Sequence, residues 1–224
     1  QVAYAFLARL VSENLFGNSL INLKLLEIEP AMKATEAVKM ELEDCASPFI
    51  KDISITSNPD EAFKDADWAI LIGSAPLKGG IKRADLLPVN GKIFQTQGKS
   101  LAKNAKPTCK VLVVGNPCNT NAYIAKESAK GKIPEENFFA LTMLDHNRAK
   151  SKLAQKTNTH ASNVRKMAIW GNHSDTQFPN FFHTKINDKP VTEQIDLDWL
   201  QNEFVDQIRQ RGAKVNKARG HGAA

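Results

Sequence analysis

Trp68-Ala69-Ile70-Leu71-Ile72-Gly73-Ser74 decides how this chain reads. Five consecutive apolar residues leave no polar face, as expected of a parallel strand covered on both sides, and Gly73-Ser74 ends the run. Val111-Leu112-Val113-Val114 before Gly115-Asn116-Pro117 repeats the pattern. Upstream, Ile21, Leu23 and Leu25 alternate with polar residues and finish at Glu27, and Ile53 and Ile55 mark another short strand. Val2, Phe6, Leu7, Leu10 and Val11 are helically spaced as far as Phe16-Gly17-Asn18, and Ala34, Val38 and Leu42 follow Pro30 at four-residue spacing. Asn58-Pro59-Asp60-Glu61 offers a cap, a Pro at the first helical position and an acid three residues after the cap, so a third helix starts there. Short apolar strands alternating with helices are the signature of βαβ units, hence an α/β fold with a parallel sheet. Right-handed crossovers put the strand C-terminal ends on one edge, which gathers Glu27, Gly73-Ser74 and Gly115-Asn116 where ligands bind in such sheets.

Two weaker strands, Phe138 to Leu141 and Met167 to Trp170, each run into a polar motif: Leu144-Asp145-His146-Asn147-Arg148 and Gly171-Asn172-His173-Ser174. Beyond the Asn187-Asp188-Lys189-Pro190 turn, Leu200, Phe204, Val205 and Ile208 form a helical stripe.

Composition narrows the classes. Of 224 residues 42% are hydrophobic and 24% charged, the balance of a globular chain with a real core rather than a disordered one. No apolar run approaches the length that crosses a bilayer, so no membrane partner is expected. The net charge is +6 and the pI about 9.2, but the basic residues are scattered except near the C-terminus, which reads as a solvated surface and not a nucleic-acid face. Cys45, Cys109 and Cys118 are odd in number and lack C-x-x-C spacing, so a reducing compartment and no metal site are expected. No leader segment is visible, and an opening without Met reads like the interior of something longer.

Asp145 and Arg148, three apart, share the first face of a helix; by spacing alone they are a helix-start acid with a salt bridge. With His173 the acid would form an acid–base dyad, the carboxylate fixing the imidazole tautomer, and Arg148 would suit bidentate capture of a carboxylate. Taken singly, His173 is a surface histidine and Arg148 a surface ion pair. Glu27 stands where a doubly wound fold hydrogen-bonds a ribose diol and repels a 2′-phosphate, favouring NAD over NADP. The Gly-rich fingerprint that accompanies it would lie just before residue 1. Ala75-Pro76-Leu77-Lys78-Gly79-Gly80-Ile81-Lys82-Arg83 reads as a mobile loop leading into a helix, with Arg83 placed to close over an anion or simply to face water.

Asn116-Pro117-Cys118-Asn119-Thr120, Met143 to Arg148 and Trp170 to Ser174, joined by Met40 to Cys45 and Thr96-Gln97-Gly98-Lys99, resemble the cytosolic-type malate dehydrogenases in order and spacing. The resemblance implies a Rossmann-type doubly wound domain over residues 1–141, incomplete at its N-terminus, and part of an α+β substrate domain over 142–224. It implies His173 as proton donor and acceptor, Asp145 as its orienting partner, Arg148 as the clamp on the substrate 1-carboxylate and Asn116 as a substrate hydrogen-bonding group. Gln1, Val2, Glu27, Gly73, Asn90, Gln97 and Val114 to Asn116 would line the NAD site. A homodimer, a cytoplasmic location and a place in the tricarboxylic acid cycle go with it.

Two departures are visible. The family's substrate loop carries two arginines; Arg83 matches the second, but Leu77 stands at the first, which in the family holds the distal carboxylate of oxaloacetate. Leu would accept the methyl of pyruvate, so lactate dehydrogenase is the alternative to malate dehydrogenase, with Lys78 as a substitute cation. The first strand and the end of the substrate domain are also missing relative to the family, which supports a further alternative, a non-catalytic remnant of the fold; a basic binding module is a third.

Overall fold

The computed structural model describes residues 2–75 and 83–220, without the side chains of 83–87. Gln1, Leu77, Lys78 and the other residues of 76–82, for which a mobile loop is expected, lie outside the described residues, as do 221–224. The chain divides into two compact units, residues 1–140 and 141–223.

The first unit runs α1 (Val2–Ser12), β1 (Ile21–Leu26), α2 (Met32–Asp44), β2 (Ile50–Thr56), α3 (Pro59–Phe63), β3 (Trp68–Leu71), α4 (Arg83–Asn104), β4 (Lys110–Val113), α5 (Cys118–Ala129) and β5 (Phe138–Ala140). All its ladders are parallel, as the apolar runs and intervening helices require. The strands form two sheets, β1–β2 and β3–β4–β5, with no ladder between β1 and β3 among the described residues. Each sheet is a run of neighbouring parallel strands joined through helices, the unit from which doubly wound sheets are built.

Each sheet has its own core. Leu7, Leu10 and Val11 of α1 and Leu42 of α2 pack with Ile53 of β2, while Phe94 and Leu101 of α4 and Ala122 and Ala125 of α5 close over Val111 and Val113 of β4. The α4–α5 contact needs a glycine: a Cβ at Gly98 would lie 2.4 Å from the carbonyl oxygen of Ala125 and 2.8 Å from Ser128 Cβ. Gly98→Ala is therefore expected to destabilise by about 1–3 kcal/mol, because a backbone carbonyl cannot swing aside. The sign opposes helix propensity, which favours Ala over Gly by about 0.8–1.0 kcal/mol. Urea denaturation checks it; a midpoint at or above wild type defeats the argument.

Two local expectations are corrected. Trp68 is 44% exposed, so β3 is not covered on both faces at its start; its indole is flanked by Phe16 at 6.0 Å and Lys110 at 5.2 Å. The strand also stops at Leu71, one residue short of Ile72. The cap at Asn58 forms, its side chain accepting from Asp60 N at 3.0 Å, but Glu61 accepts from the Asn58 side-chain Nδ2 at 3.4 Å and not from the Asn58 backbone N–H. Thr56 takes both parts: its hydroxyl accepts from Asn58 N at 3.1 Å and donates to Glu61 Oε2 at 2.7 Å.

The second unit begins with α6 (Met143–Lys156), then β6 (Val164–Arg165), β7 (Ala168–Trp170), β8 (Phe178–Asn180), β9 (Lys185–Ile186), β10 (Lys189–Pro190), α7 (Leu197–Trp199), a π-helical turn (Leu200–Phe204) and α8 (Val205–Arg219). Its pairings are antiparallel, β7 with β8 and β9 with both β6 and β10. Asn187 and Asp188 both take positive φ between β9 and β10, the two-residue turn whose twist matches the strands. Leu153 of α6, Phe181, Ile186, Leu200 and Phe204 are wholly buried in one core, so α6 is held against α8 and the hairpins.

Candidate active site

Asp145 lies in the first turn of α6, where helix N–H groups favour an anion. It is 5% exposed, and both carboxylate oxygens are engaged: Oδ1 accepts from Arg148 at 2.9 Å and Oδ2 bonds His173 Nδ1. The i, i+3 spacing brings Arg148 round to the acid, and its side chain is only 12% exposed. His173 comes from another element altogether. β7 ends at Trp170, Gly171 turns the chain at φ +85°, and a turn follows in which Ser174 N donates to Asn172 O at 2.7 Å and Gln177 N to Ser174 O at 3.1 Å. The Gln177 carbonyl then accepts from Arg209 Nε of α8 at 2.7 Å, fixing the far end of the turn. The imidazole remains 45% exposed, so one face of the triad meets solvent.

The electrostatics follow from that packing. Burial works to raise the Asp145 carboxyl, but the bonds and charges of His173 and Arg148 outweigh it and hold it below the usual carboxylate range. Asp145 is an anion at neutral pH, and an anion on Nδ1 holds the imidazole in one tautomer and orientation. His146, the next residue, is pushed down by burial and by Lys150, which keeps it neutral. Burial pushes the Cys109 thiol up to about 11, removing it as a nucleophile near neutrality.

Gly212 is a part of this site that the sequence did not announce. Inside α8, a Cβ there would lie 3.8 and 4.0 Å from the Arg148 guanidinium nitrogens, so the guanidinium lies close against helix backbone. A glycine in a helix interior with no turn to explain it was the available signal.

In the first unit the strand exits collect the other expected residues. Glu27 follows β1, exposed, with Oε1 accepting from Ile28 N at 2.9 Å. Gly73 after β3 is exposed with open space where a Cβ would be, and Asn116 after β4 is exposed. Gln97 on α4 has a buried Oε1 with no hydrogen-bond partner among the described residues. An exposed acid, an open glycine exit, an exposed carboxamide and an orphaned buried acceptor fit a dinucleotide along this edge. Asn90, expected along the same edge, is wholly buried, its side chain accepting from Ala75 N and donating to Asn116 O. Val114 and Gly115 donate to the Leu71 carbonyl at 2.9 and 3.2 Å, tying β4's exit to β3. Val2 is exposed in the first turn of α1; Arg83 is the first residue of α4, and its side chain, like Gln1 and Leu77, is outside what is described. No helix among the described residues is long and apolar enough to cross a membrane, and no metal-binding group of His, Cys, Asp or Glu occurs among them.

Parallel strands alternating with helices in one unit, and in the other a buried carboxylate shared by an imidazole and a guanidinium, are the class of architecture found in dinucleotide-dependent oxidoreductases. The chain belongs to the lactate/malate dehydrogenase family: residues 1–139 match its NAD binding domain and residues 142–224 its alpha/beta C-terminal domain. Among solved structures it is similar to malate dehydrogenase from Naegleria fowleri, at 40% identity over 99% of this chain and 68% of that one, with a TM-score of 0.93. Trichomonas vaginalis lactate dehydrogenase in complex with NADH and oxamate is 39% identical over 100% of this chain and 69% of its own, TM-score 0.94. An apo leucine-to-arginine variant of that enzyme is 36% identical over 100% and 66%, TM-score 0.90.

Proposed function

We propose that the protein is an NAD-dependent dehydrogenase of short 2-hydroxy acids. The observation that carries this is the buried Asp145 carboxylate shared between the His173 imidazole and the Arg148 guanidinium. Bound NAD supplies the hydride acceptor, and NADH the donor in the reverse direction. His173 moves the proton: as imidazolium it protonates the ketone oxygen of a 2-oxo acid, and as neutral imidazole it takes the hydroxyl proton back. Asp145 stabilises the imidazolium and orients the ring, and Arg148 holds the 1-carboxylate common to all such acids. Asn116 adds a hydrogen bond to the substrate, Glu27 binds the ribose diol, and Arg83 is assigned to the substrate. A cytoplasmic homodimer accompanies this reading.

Identity of 40% to a malate dehydrogenase and 39% to a lactate dehydrogenase gives no ground for choosing the acid. The choice falls to Leu77. An apolar side chain at the position that would meet the substrate's distal end favours the methyl of pyruvate, because a distal carboxylate there would lose water without gaining a cation. Malate and oxaloacetate are the second reading, with Lys78 as the cation that would support it. The test is NADH-dependent reduction of pyruvate and oxaloacetate by the wild-type protein. Turnover of neither acid would sink the dehydrogenase reading, and a larger kcat/KM for oxaloacetate would reverse the choice between them.

A further inference from the structure

We propose that Asn90 is a positioning residue that clasps the exits of β3 and β4 into one platform and so places the Asn116 backbone; its catalytic consequence rests on Asn116 serving the dehydrogenase reaction. Asn90 sits on α4 with 0% exposure, and a carboxamide out of water is costly unless bonded. Both ends of its amide are used on main chain. Oδ1 accepts from Ala75 N at 2.8 Å, just past β3, and Nδ2 donates to Asn116 O at 3.1 Å, just past β4.

The platform has other supports that make the clasp more than a passing contact. Asn121 of α5, also wholly buried, donates to Gly115 O at 2.9 Å, so two buried asparagines from two helices hold consecutive carbonyls. At Gly115 a Cβ would fall 2.9 Å from Phe94 Cζ, 3.1 Å from Ser74 Cβ and 3.2 Å from Gly73 O, so the two exits are packed together with no room for a side chain. Asn116 itself is exposed at the end of this assembly. An amide wholly buried and bonded at both ends to main chain acts on what it holds. The clasp needs a separate acceptor and donor on one arm of this length; Asp lacks the donor, Leu lacks both, and Ser carries both on one oxygen of a shorter arm.

Asn90→Asp keeps the acceptor for Ala75 but sets a carboxylate oxygen against the Asn116 carbonyl; Asn90→Leu removes both bonds. Leu42→Ala, in the separate core beneath β1 and β2, serves as a control of lowered stability. Hydrogen exchange is expected to rise in peptides covering both 73–75 and 113–117 in the two Asn90 variants and in neither for Leu42→Ala. Their kcat/KM for the preferred 2-oxo acid should fall about 10- to 100-fold, the scale of a small misplacement of a reacting group, and because the same two exits are assigned to the cofactor edge the Kd for NADH should weaken as well, whereas Leu42→Ala should move neither. Exchange that rises at one exit alone or at neither, or an equal loss of kcat/KM in Leu42→Ala, overturns the proposal. If wild type reduces no 2-oxo acid, the functional reading fails, and the exchange data still decide whether the clasp exists.

Discussion

His173→Asn is expected to lower kcat for the preferred 2-oxo acid by about 10²–10⁴, the range for losing a positioned proton donor, with NADH binding kept. The companion variant separates chemistry from architecture. Asp145→Ala removes the anion from between two partners, so the imidazole loses its orienting bond and Arg148, 12% exposed, is left without its counter-charge. Breaking a buried pair from one side costs on the order of 3–5 kcal/mol, so Asp145→Ala should lose activity and melt earlier, whereas His173→Asn should lose mainly activity. The stability difference has a sign in pH. Because the Asp145 carboxyl is held below its ordinary value, its contribution is full above the unfolded aspartate pKa of about 3.9 and is lost as pH falls through the lower folded value. Thermal melts of wild type and Asp145→Ala should therefore converge as the pH is lowered past that range and stay apart at pH 5 to 8. Equal turnover in His173→Asn and wild type would remove His173 from the reaction.

Leu77→Arg is expected to raise kcat/KM for oxaloacetate about 100-fold and to depress that for pyruvate. A charge-assisted bond to a desolvated carboxylate is about twice as strong as a neutral one, and the same guanidinium facing a methyl is left unpaired. The comparison is steady-state kinetics on both acids with both proteins, with kcat and KM reported separately. A wild-type preference for oxaloacetate that Leu77→Arg fails to increase would show that another group, with Lys78 the first to examine, meets the distal carboxylate.

How much could be read in advance differs between the two units, for a physical reason. The strands Lys110–Val113 and Trp68–Leu71 were visible because a strand buried in a parallel sheet is a continuous apolar run, and Ile21–Leu26 because its apolar residues alternate with polar ones, both local properties of the chain. Trp68 shows the limit of that rule, since an apolar residue satisfies it equally well at an exposed end beside Phe16 and Lys110. The capping segment at Asn58 was visible in kind, yet the nearer partner of Glu61 is Thr56 at 2.7 Å, against 3.4 Å for the Asn58 side chain, a hydroxyl from the preceding strand end that local spacing does not weigh. The short antiparallel pairs of the second unit gave weak signals because two- and three-residue strands carry almost no periodicity.

Asp145 and Arg148 could be paired from sequence because three residues of helix bring them to one face, a distance fixed by backbone geometry. The sequence by itself thus determined the α/β class, the strand exits at which Glu27, Gly73 and Asn116 stand, and one acid–guanidinium pair. What only the tertiary structure decided is what crosses between elements. It delivered His173 from a turn 28 residues away to the other oxygen of Asp145, brought the backbone at Gly212 of α8 close to Arg148, and turned Asn90 inward onto two loops. Those contacts depend on how elements pack, and packing at that range leaves no period in the chain.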